Sequence, residues 1–484
     1  MTKWEAVIGI ETHVELQTKS KMFCGCEVNF GAGPNTTVCP VCLALPGALP
    51  VPNQEAIEGI LRIGAAFDCE LVTDSLFHRK NYFYPDLPKN YQISQYDIPL
   101  CINGKLAVDV AGEEATVGIT RVHMEEDTGK SVHGSETGRI HDADHSLLDF
   151  NRAGVPLVEI VSEPDIRSPE QARAYASELQ RVVRSLGVSD VRLEEGSVRF
   201  DANISVRPEG QEEFGTRAEV KNMNSLRSLQ RAVAYEIQRQ IGVLESGGTI
   251  IQETRHWDEN SGKTSGMRSK EESEDYRYFQ EPDLVPLHVD DEWRRRVFSS
   301  LPELPSARRH RIADAGVDRQ TAATMVEAGD LADLFDAAVA LGADAKLVGN
   351  WLTGEVVAYL RRNDVALGKT ALAPDHLSEL AAMVGEGQLS STAAKDVLGY
   401  VLAGEGTPAA VAAARDLSQI SDESALETEV EKVLAANADV LERLQAGDMK
   451  PIGFLVGQVM RATGGKADPK QVASMIRSKT VGGF

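Results

Sequence analysis

The chain has 484 residues, with 50 Lys+Arg against 73 Asp+Glu and a formal net charge of −23. That balance excludes a protein that coats nucleic acid through a pervasive basic surface, although a local basic groove remains compatible with it. With 42% hydrophobic and 25% charged residues it is ordinary globular material, and at roughly 150 residues per domain it should hold about three domains.

No apolar run approaches the roughly 20 residues of a membrane span. The opening "MTKWEAVIGI" reaches no signal-peptide core before its acids begin, so a soluble, cytoplasmic protein is expected. The stretch "VIGIETHVEL", residues 7–16, then alternates with period two. Ile8, Ile10, Val14 and Leu16 form an apolar face, while the opposite face carries Glu11, His13 and Glu15. Glu15 is tied to that group by parity alone and is left out of the candidate site.

Four of the six cysteines fall between residues 24 and 42. Cys24-x-Cys26 and Cys39-x-x-Cys42 are spaced for a four-thiolate zinc knuckle, which closes its metal with protein ligands and does no chemistry. The plain alternative is a set of buried thiols, and Cys69 and Cys101 are expected in the core.

Residues 77–95, "FHRKNYFYPDLPKNYQISQ", interleave His78, Arg79, Lys80 and Lys89 with aromatics. Such a segment can stack bases and bind phosphate, or it can be a Pro-rich turn packed by its own rings. In "GITRVHMEED", Arg121, His123, Glu125 and Asp127 share a strand face. Two P-loop look-alikes, Gly129-Lys130-Ser131 and Gly262-Lys263-Thr264, fail because Met124 and Trp257 stand where the first glycine belongs. A nucleotide would therefore be held by metal and basic side chains on a sheet.

Two helices follow, one capped by Ser168 with Pro169 in its first turn and running to Gly187, the other from about Leu226 to Leu244. Between and after them, "VRFDANISVR" sets Arg199, Asp201, Asn203, Ser205 and Arg207 opposite an apolar face, and "TRAEVKN" aligns Arg217, Glu219 and Lys221. Each strand alone reads as the solvated face of a one-sided sheet. Four together, with His, Asn and paired acids recurring, read as a cradle in which carboxylates hold divalent cations beside Arg and Lys for phosphate. Hard Mg²⁺ favours Glu11, Glu125, Asp201 and Glu219 over His13, which suits a softer position.

Few βαβ alternations imply an α+β fold with a mainly antiparallel sheet. All six cysteines and eight of the ten histidines precede residue 297, after which Ala, Leu and Glu-rich helical segments take over, with a further break near 405–410. Basic residues gather locally there as Arg308, Arg309 and Arg311, as Arg361 and Arg362, and as Lys466, Lys470, Arg477 and Lys479. Each group is an ordinary helix surface by itself; together they make a candidate phosphate-reading surface.

The ordered motifs "GIETHVEL", "RKNYFYPDLPKNYQISQ", "ITRVHMEEDTGK", "DFNRAGVPLVEIVSEPDIRSPEQA", "GTRAEVKNMNS", "DYRYFQEPDLVPL" and "GFLVGQVM" resemble the B subunit of the tRNA-dependent aspartyl/glutamyl amidotransferase, the GatB/GatE family. The resemblance implies a cradle domain related to glutamine synthetase at 1–296, a helical domain at 297–405 and a YqeY-like helical tail that binds tRNA at 406–484. It implies an ATP-dependent carbon–nitrogen ligase that phosphorylates the side-chain carboxylate of Glu-tRNA(Gln) or Asp-tRNA(Asn) and amidates it. Ammonia would come from glutamine on a partner A subunit, with a small C subunit tying the two together. Mapped by motif, Lys80, Glu125, Arg199 and Lys221 are the catalytic candidates and Arg79, Arg121 and Asn203 the nucleotide-binding ones. Glu11, His13, Glu125, Asp201 and Glu219 are expected to hold Mg²⁺, and Cys24, Cys26, Cys39 and Cys42 zinc. Two rivals are a tRNA-binding scaffold without catalysis and a free-standing metal-dependent ligase acting on a small acid.

Overall fold

Alternation in the opening stretch produces β1 (Trp4–Glu15), and the computed structural model describes the chain over residues 2–134, 144–267, 276–419, 423–446, 448–464 and 466–481. The strands that follow are β2 (Glu70–Leu71), β3 (Asp74–Ser75), β4 (His78–Asn81), β5 (Tyr91–Ser94), β6 (Cys101–Val110), β7 (Glu113–Glu126), β8 (Lys130–His133) and β9 (Ser146–Asp149). They continue with β10 (Pro156–Ser162), β11 (Val198–Pro208), β12 (Ala218–Lys221), β13 (Glu253–Asp258), β14 (Lys263–Gly266), β15 (Phe279–Gln280) and β16 (Leu287–His288). Nine of these form one sheet in the order β14-β13-β12-β11-β1-β10-β7-β6-β2. Its paired neighbours are antiparallel except β12 and β13, which run parallel.

One face of this sheet is apolar and covered by α1 (Gln54–Ala66), α2 (Pro169–Ser185) and α3 (Leu226–Glu245). Ile8, Ile10, Val122, Val158, Ile160, Phe200 and Ile204 pack there with Ile60, Tyr175, Leu179, Leu229 and Val233. The helices start where their caps require. Ser168 accepts a hydrogen bond from Gln171 N, with Pro169 in the first turn, and Ser225 accepts one from Ser228 N.

The register lays the polar residues side by side on the other face. Glu11 pairs with Asp201 and His13 with Arg199 across β11. His13 pairs with Glu159 across β10, Glu159 with His123 across β7, and Asn203 with Glu219 across β12. Cross-strand partners project to the same side, so five strands supply one continuous polar surface.

Two features differ from the sequence-based expectation. The strand β10 is apolar on both faces apart from Glu159 and Ser162, so its period-two signal is hidden, as in other central strands. The segment 77–95, expected as a turn or a base-binding loop, contributes β4 and β5 to a separate sheet in the order β15-β4-β5.

The chain divides into compact units at 305/306, beyond the compositional change near 297. The intervening α4 (Asp291–Ser299) buries Val297 in the first unit's core, with Trp293 packed against it. The described elements of the second unit are helices, beginning with α5 (Pro305–Asp314), α6 (Arg319–Ala328) and α7 (Asp330–Ala340). They enclose two apolar clusters, one including Met325, Phe335, Trp351, Leu380 and Val397, the other Leu426, Val430, Leu455, Val459 and Ile476.

Much of the expected basic surface there is internally paired. Arg308 bonds Asp333 and Asp336, Arg311 bonds Asp336, Lys466 pairs with Asp416, and Lys479 with Glu427 and Glu431. No described helix is long and apolar enough to cross a membrane.

Candidate active site

At the centre of the polar face, one ligand atom from each of His13, Glu125 and Glu159 lies within 4.8 Å of the others. Glu159 Oε2 is 3.5 Å from His13 Nε2 and 3.4 Å from His123 Nε2, and Glu125 Oε1 is 3.5 Å from His123 Nε2. Burial by itself would disfavour every charge here, but opposite charges outweigh it. The carboxylates lift the His13 imidazole above its ordinary value and that of His123 to about 9, while Glu125 and Glu159 are held low. Arg121 Nε lies 3.3 Å from His123 Nδ1.

Two buried carboxylates and an imidazole are a suitable donor set for a hard or borderline divalent cation such as Mg²⁺ or Mn²⁺. Of the five residues expected to hold Mg²⁺, His13 and Glu125 are in this cluster. The other three share the face but lie outside the cluster: Glu11 on β1 two residues before His13, Asp201 on β11 and Glu219 on β12. Glu159, absent from the sequence candidates, is at its middle.

The second sheet brings Lys80 in from the side. Its ammonium sits 3.9 Å from Glu125 Oε1 and 5.1 Å from the ring centre of Tyr276. Burial would lower it, yet Glu125, Tyr278 and Glu159 hold it raised. Tyr276 and Tyr278 come from the "DYRYFQEP" motif but were not candidates, because no local pattern ties them to Lys80.

On the other wing, Asn203 Nδ2 donates to Glu11 Oε1 at 2.8 Å. Lys221 Nζ lies 2.8 Å from Asp201 and 3.0 Å from Glu219. Arg199 lies 3.1 Å from Asp127 and 3.9 Å from Glu15, whose carboxyl is pushed up to about 8 by burial and by Asp127. The structure therefore adds Glu15 and Asp127 to the group. Glu11, also raised by burial and then by Glu159 and Glu219, borders a pocket of about 500 Å³ lined in part by Gly9, Asn203, Ser205 and Arg217.

Arg79 does not converge with these residues. Strand parity sends it to the other side of β4 from Lys80, where it makes a bidentate pair with buried Glu281 at 2.7 and 2.8 Å and lies over the Tyr91 ring.

The four cysteines, far apart in sequence as pairs, do converge. Their Sγ atoms lie within 4.8 Å of one another, a group that can hold a metal ion. The Cys39 N–H donates to Cys42 Sγ at 3.1 Å, and bonding to Cys24 together with the Lys21 cation brings the Cys42 thiol down to about 4. The same bond and burial push the Cys24 thiol up, and burial raises Cys26 to about 11, so the convergence of the four sulfurs is what makes the group a candidate metal site. Cys69 and Cys101 are buried, as expected.

The fold and the site define a class of α+β protein with a large, mainly antiparallel sheet, one face of which gathers carboxylates, imidazoles and cations, and with a helical C-terminal region. Residues 6–295 match the GatB/GatE catalytic domain and residues 333–480 the GatB domain. The chain is 51% identical over 478 residues to the B subunit of the aspartyl/glutamyl-tRNA(Asn/Gln) amidotransferase of Moorella thermoacetica, covering 99% of this chain and 100% of that one. The protein of the same name from Frankia casuarinae is 53% identical over 485 residues, covering 98% and 95% of the two chains. With that similarity end to end, the chain belongs to the family of B subunits of the aspartyl/glutamyl-tRNA(Asn/Gln) amidotransferase.

Proposed function

We propose that this chain carries the ATP-dependent step in which the side-chain carboxylate of Glu-tRNA(Gln) or Asp-tRNA(Asn) is activated and amidated. The observation that carries this reading is the gathering of His13, Glu125 and Glu159 with Lys80 on the polar face of a chain matched there by a catalytic-domain family. A carboxylate resists ammonia because oxide would have to leave. Attack of its oxygen on the γ-phosphorus of ATP gives an acyl phosphate and ADP; ammonia nitrogen then attacks the carbonyl carbon and phosphate departs. Both partners of the first step are anions, so positioning and charge neutralisation dominate.

His13, Glu125 and Glu159 would hold Mg²⁺, which supplies charge neutralisation at the phosphates, with Glu11, Asp201 and Glu219 alongside it. Lys80, Arg199 and Lys221 would attract phosphate oxygens or the substrate carboxylate. Asn203 and Arg121 would support the nucleotide side, and the pocket beside Glu11 offers room for it. Arg79 receives a structural role here. The four cysteines would hold a structural Zn²⁺.

Ammonia would arrive from a glutaminase A subunit, with the C subunit completing the assembly. The tail, with its own apolar cluster at 426–476, would bind tRNA, and the three-part division 1–296, 297–405 and 406–484 follows this reading. The test is ATP cleavage by the reconstituted complex supplied with ammonia: it should depend on misacylated tRNA and disappear in Glu125→Ala. A folded Glu125→Ala protein that works normally would refute the reading.

A further inference from the structure

We propose that Gln92 and Ser94 are positioning residues for Glu125: they occupy one lone pair on each of its oxygens and fix the orientation in which it meets a divalent cation. The inference rests on the preceding reading that Glu125 holds such a cation. Ser94 Oγ donates to Glu125 Oε1 at 2.8 Å, and Gln92 Nε2 donates to Glu125 Oε2 at 3.1 Å and to the Glu126 carbonyl at 2.7 Å. Both side chains are buried, at 1% and 5% exposure, where a polar group is costly unless its partners are in place.

The reason for this arrangement lies in the sheet. On one edge β7 pairs with β10 through Glu126, but on the other its ladder with β6 ends at Val122. Residues 92–95 supply hydrogen bonds there instead, two between their side chains and the β7 backbone and one from a backbone N–H to a β7 side chain. Met124 N donates to Gln95 Oε1 at 3.0 Å, the Glu126 carbonyl accepts from Gln92, and Ile93 N donates to the Glu126 carboxylate at 2.9 Å.

A backbone strand in that place would satisfy β7 without touching the Glu125 side chain. Donors on side chains reach the backbone and the carboxylate together. Lys80 is the cross-strand partner of Gln92 in the β4–β5 ladder, so the same seam brings the Lys80 ammonium to Glu125. With two donors fixed, the carboxylate is left to face His123 and Glu159.

Outer partners of this kind typically change metal affinity 10–100-fold. The probe is Mn²⁺ alone, titrated into the full chain without nucleotide or tRNA and followed by the paramagnetic resonance of the free ion. Ser94→Ala and Gln92→Met should each raise the Mn²⁺ Kd by about 10-fold or more. Ser94→Thr, which keeps the hydroxyl, should restore affinity close to that of the parent, with circular dichroism showing that each variant is folded. Should Gln92→Met fail to fold, the Ser94 pair carries the test.

Unchanged Mn²⁺ affinity in Ser94→Ala, alongside lost binding in Glu125→Gln, would overturn the positioning role while leaving the metal site intact. Equal weakening in Ser94→Ala and Ser94→Thr would mark a packing effect and overturn it too. Normal Mn²⁺ binding by Glu125→Gln would remove the metal-site reading and this inference with it.

Discussion

His13 and His123 share one carboxylate: their Nε2 atoms lie 3.5 and 3.4 Å from the same oxygen of Glu159, although their strands are not neighbours in the sheet. Glu159, on the strand between them, joins both imidazoles to Glu125. Replacing it should therefore disturb metal binding, although it was not among the sequence candidates. Glu159→Gln is expected to weaken Mn²⁺ binding by more than 10-fold and to lower ATP cleavage by about 10²-fold, within the range seen when a transition-state charge stabiliser is weakened. Titration with Mn²⁺ and steady-state assay of the reconstituted complex check it; parental values would exclude Glu159 from the site.

Arg79 offers the opposite case, a residue of a site motif whose work is structural. Glu281 is fully buried and takes two hydrogen bonds from it, so Arg79→Ala leaves an uncompensated buried charge. The expected cost is about 3–5 kcal/mol of stability, and Arg79→Ala combined with Glu281→Gln should recover part of it. Denaturant unfolding measures this. A variant of unchanged stability with a greatly raised KM for ATP would return Arg79 to the nucleotide site.

For the cysteine cluster, Cys39→Ser and Cys42→Ser should each lower bound zinc from about one ion per chain towards zero by elemental analysis, since a structural site is closed by four ligands. Hydrogen exchange over residues 20–52 should accelerate in both, because binding free energy at such sites is local folding free energy. Zinc content of zero in the parent protein would show that the thiols are merely buried together.

Asp336 ties α5 to α7 through Arg308 and Arg311, at 2.7–3.0 Å. Burial would raise its carboxyl, but the hydrogen bonds from Arg311 and Arg308 outweigh that and hold it below its ordinary value. A depressed folded-state pKa means that the stabilisation is present above about pH 4 and is lost as pH falls through the folded value. Asp336→Asn should cost about 1–2 kcal/mol near neutral pH, with the gap from the parent closing on acidification. Hydrogen exchange in residues 305–340 reads it; a gap independent of pH would rule out the ion pair as its source.

In the helical tail, Lys470 and Arg477 have no ion pair among the described residues, unlike Lys466 and Lys479. Lys470→Glu with Arg477→Glu should weaken tRNA binding and reduce the slope of log K against log salt by roughly 0.7–0.9 for each lost phosphate contact. Binding at several salt concentrations tests this, and an unchanged slope would place the tRNA elsewhere.

Local rules were enough for much of this molecule. Period-two alternation identified the polar faces carrying Glu11, His13, Glu125, Arg199, Asp201 and Lys221. Capping chemistry identified the start of α2 at Ser168. Paired spacing identified four thiols able to share a metal. These signals survive in sequence because each depends on residues within a few positions of one another.

Glu159 was not legible in that way, since a central strand buried on both faces shows no alternation, and one acid among apolar residues has no local partner. Arg79 and Lys80 are adjacent in sequence, and only the pleat of β4 and its docking onto β7 sent one to Glu281 and the other to Glu125. Parity along a strand states which residues share a face; register between strands decides which of them meet. The inventory of carboxylates, imidazoles, thiols and cations is written in the chain, while their partners are decided only by the fold, because those contacts join segments beyond the reach of local periodicity, from 20 residues apart for Lys221 and Asp201 to 202 for Arg79 and Glu281.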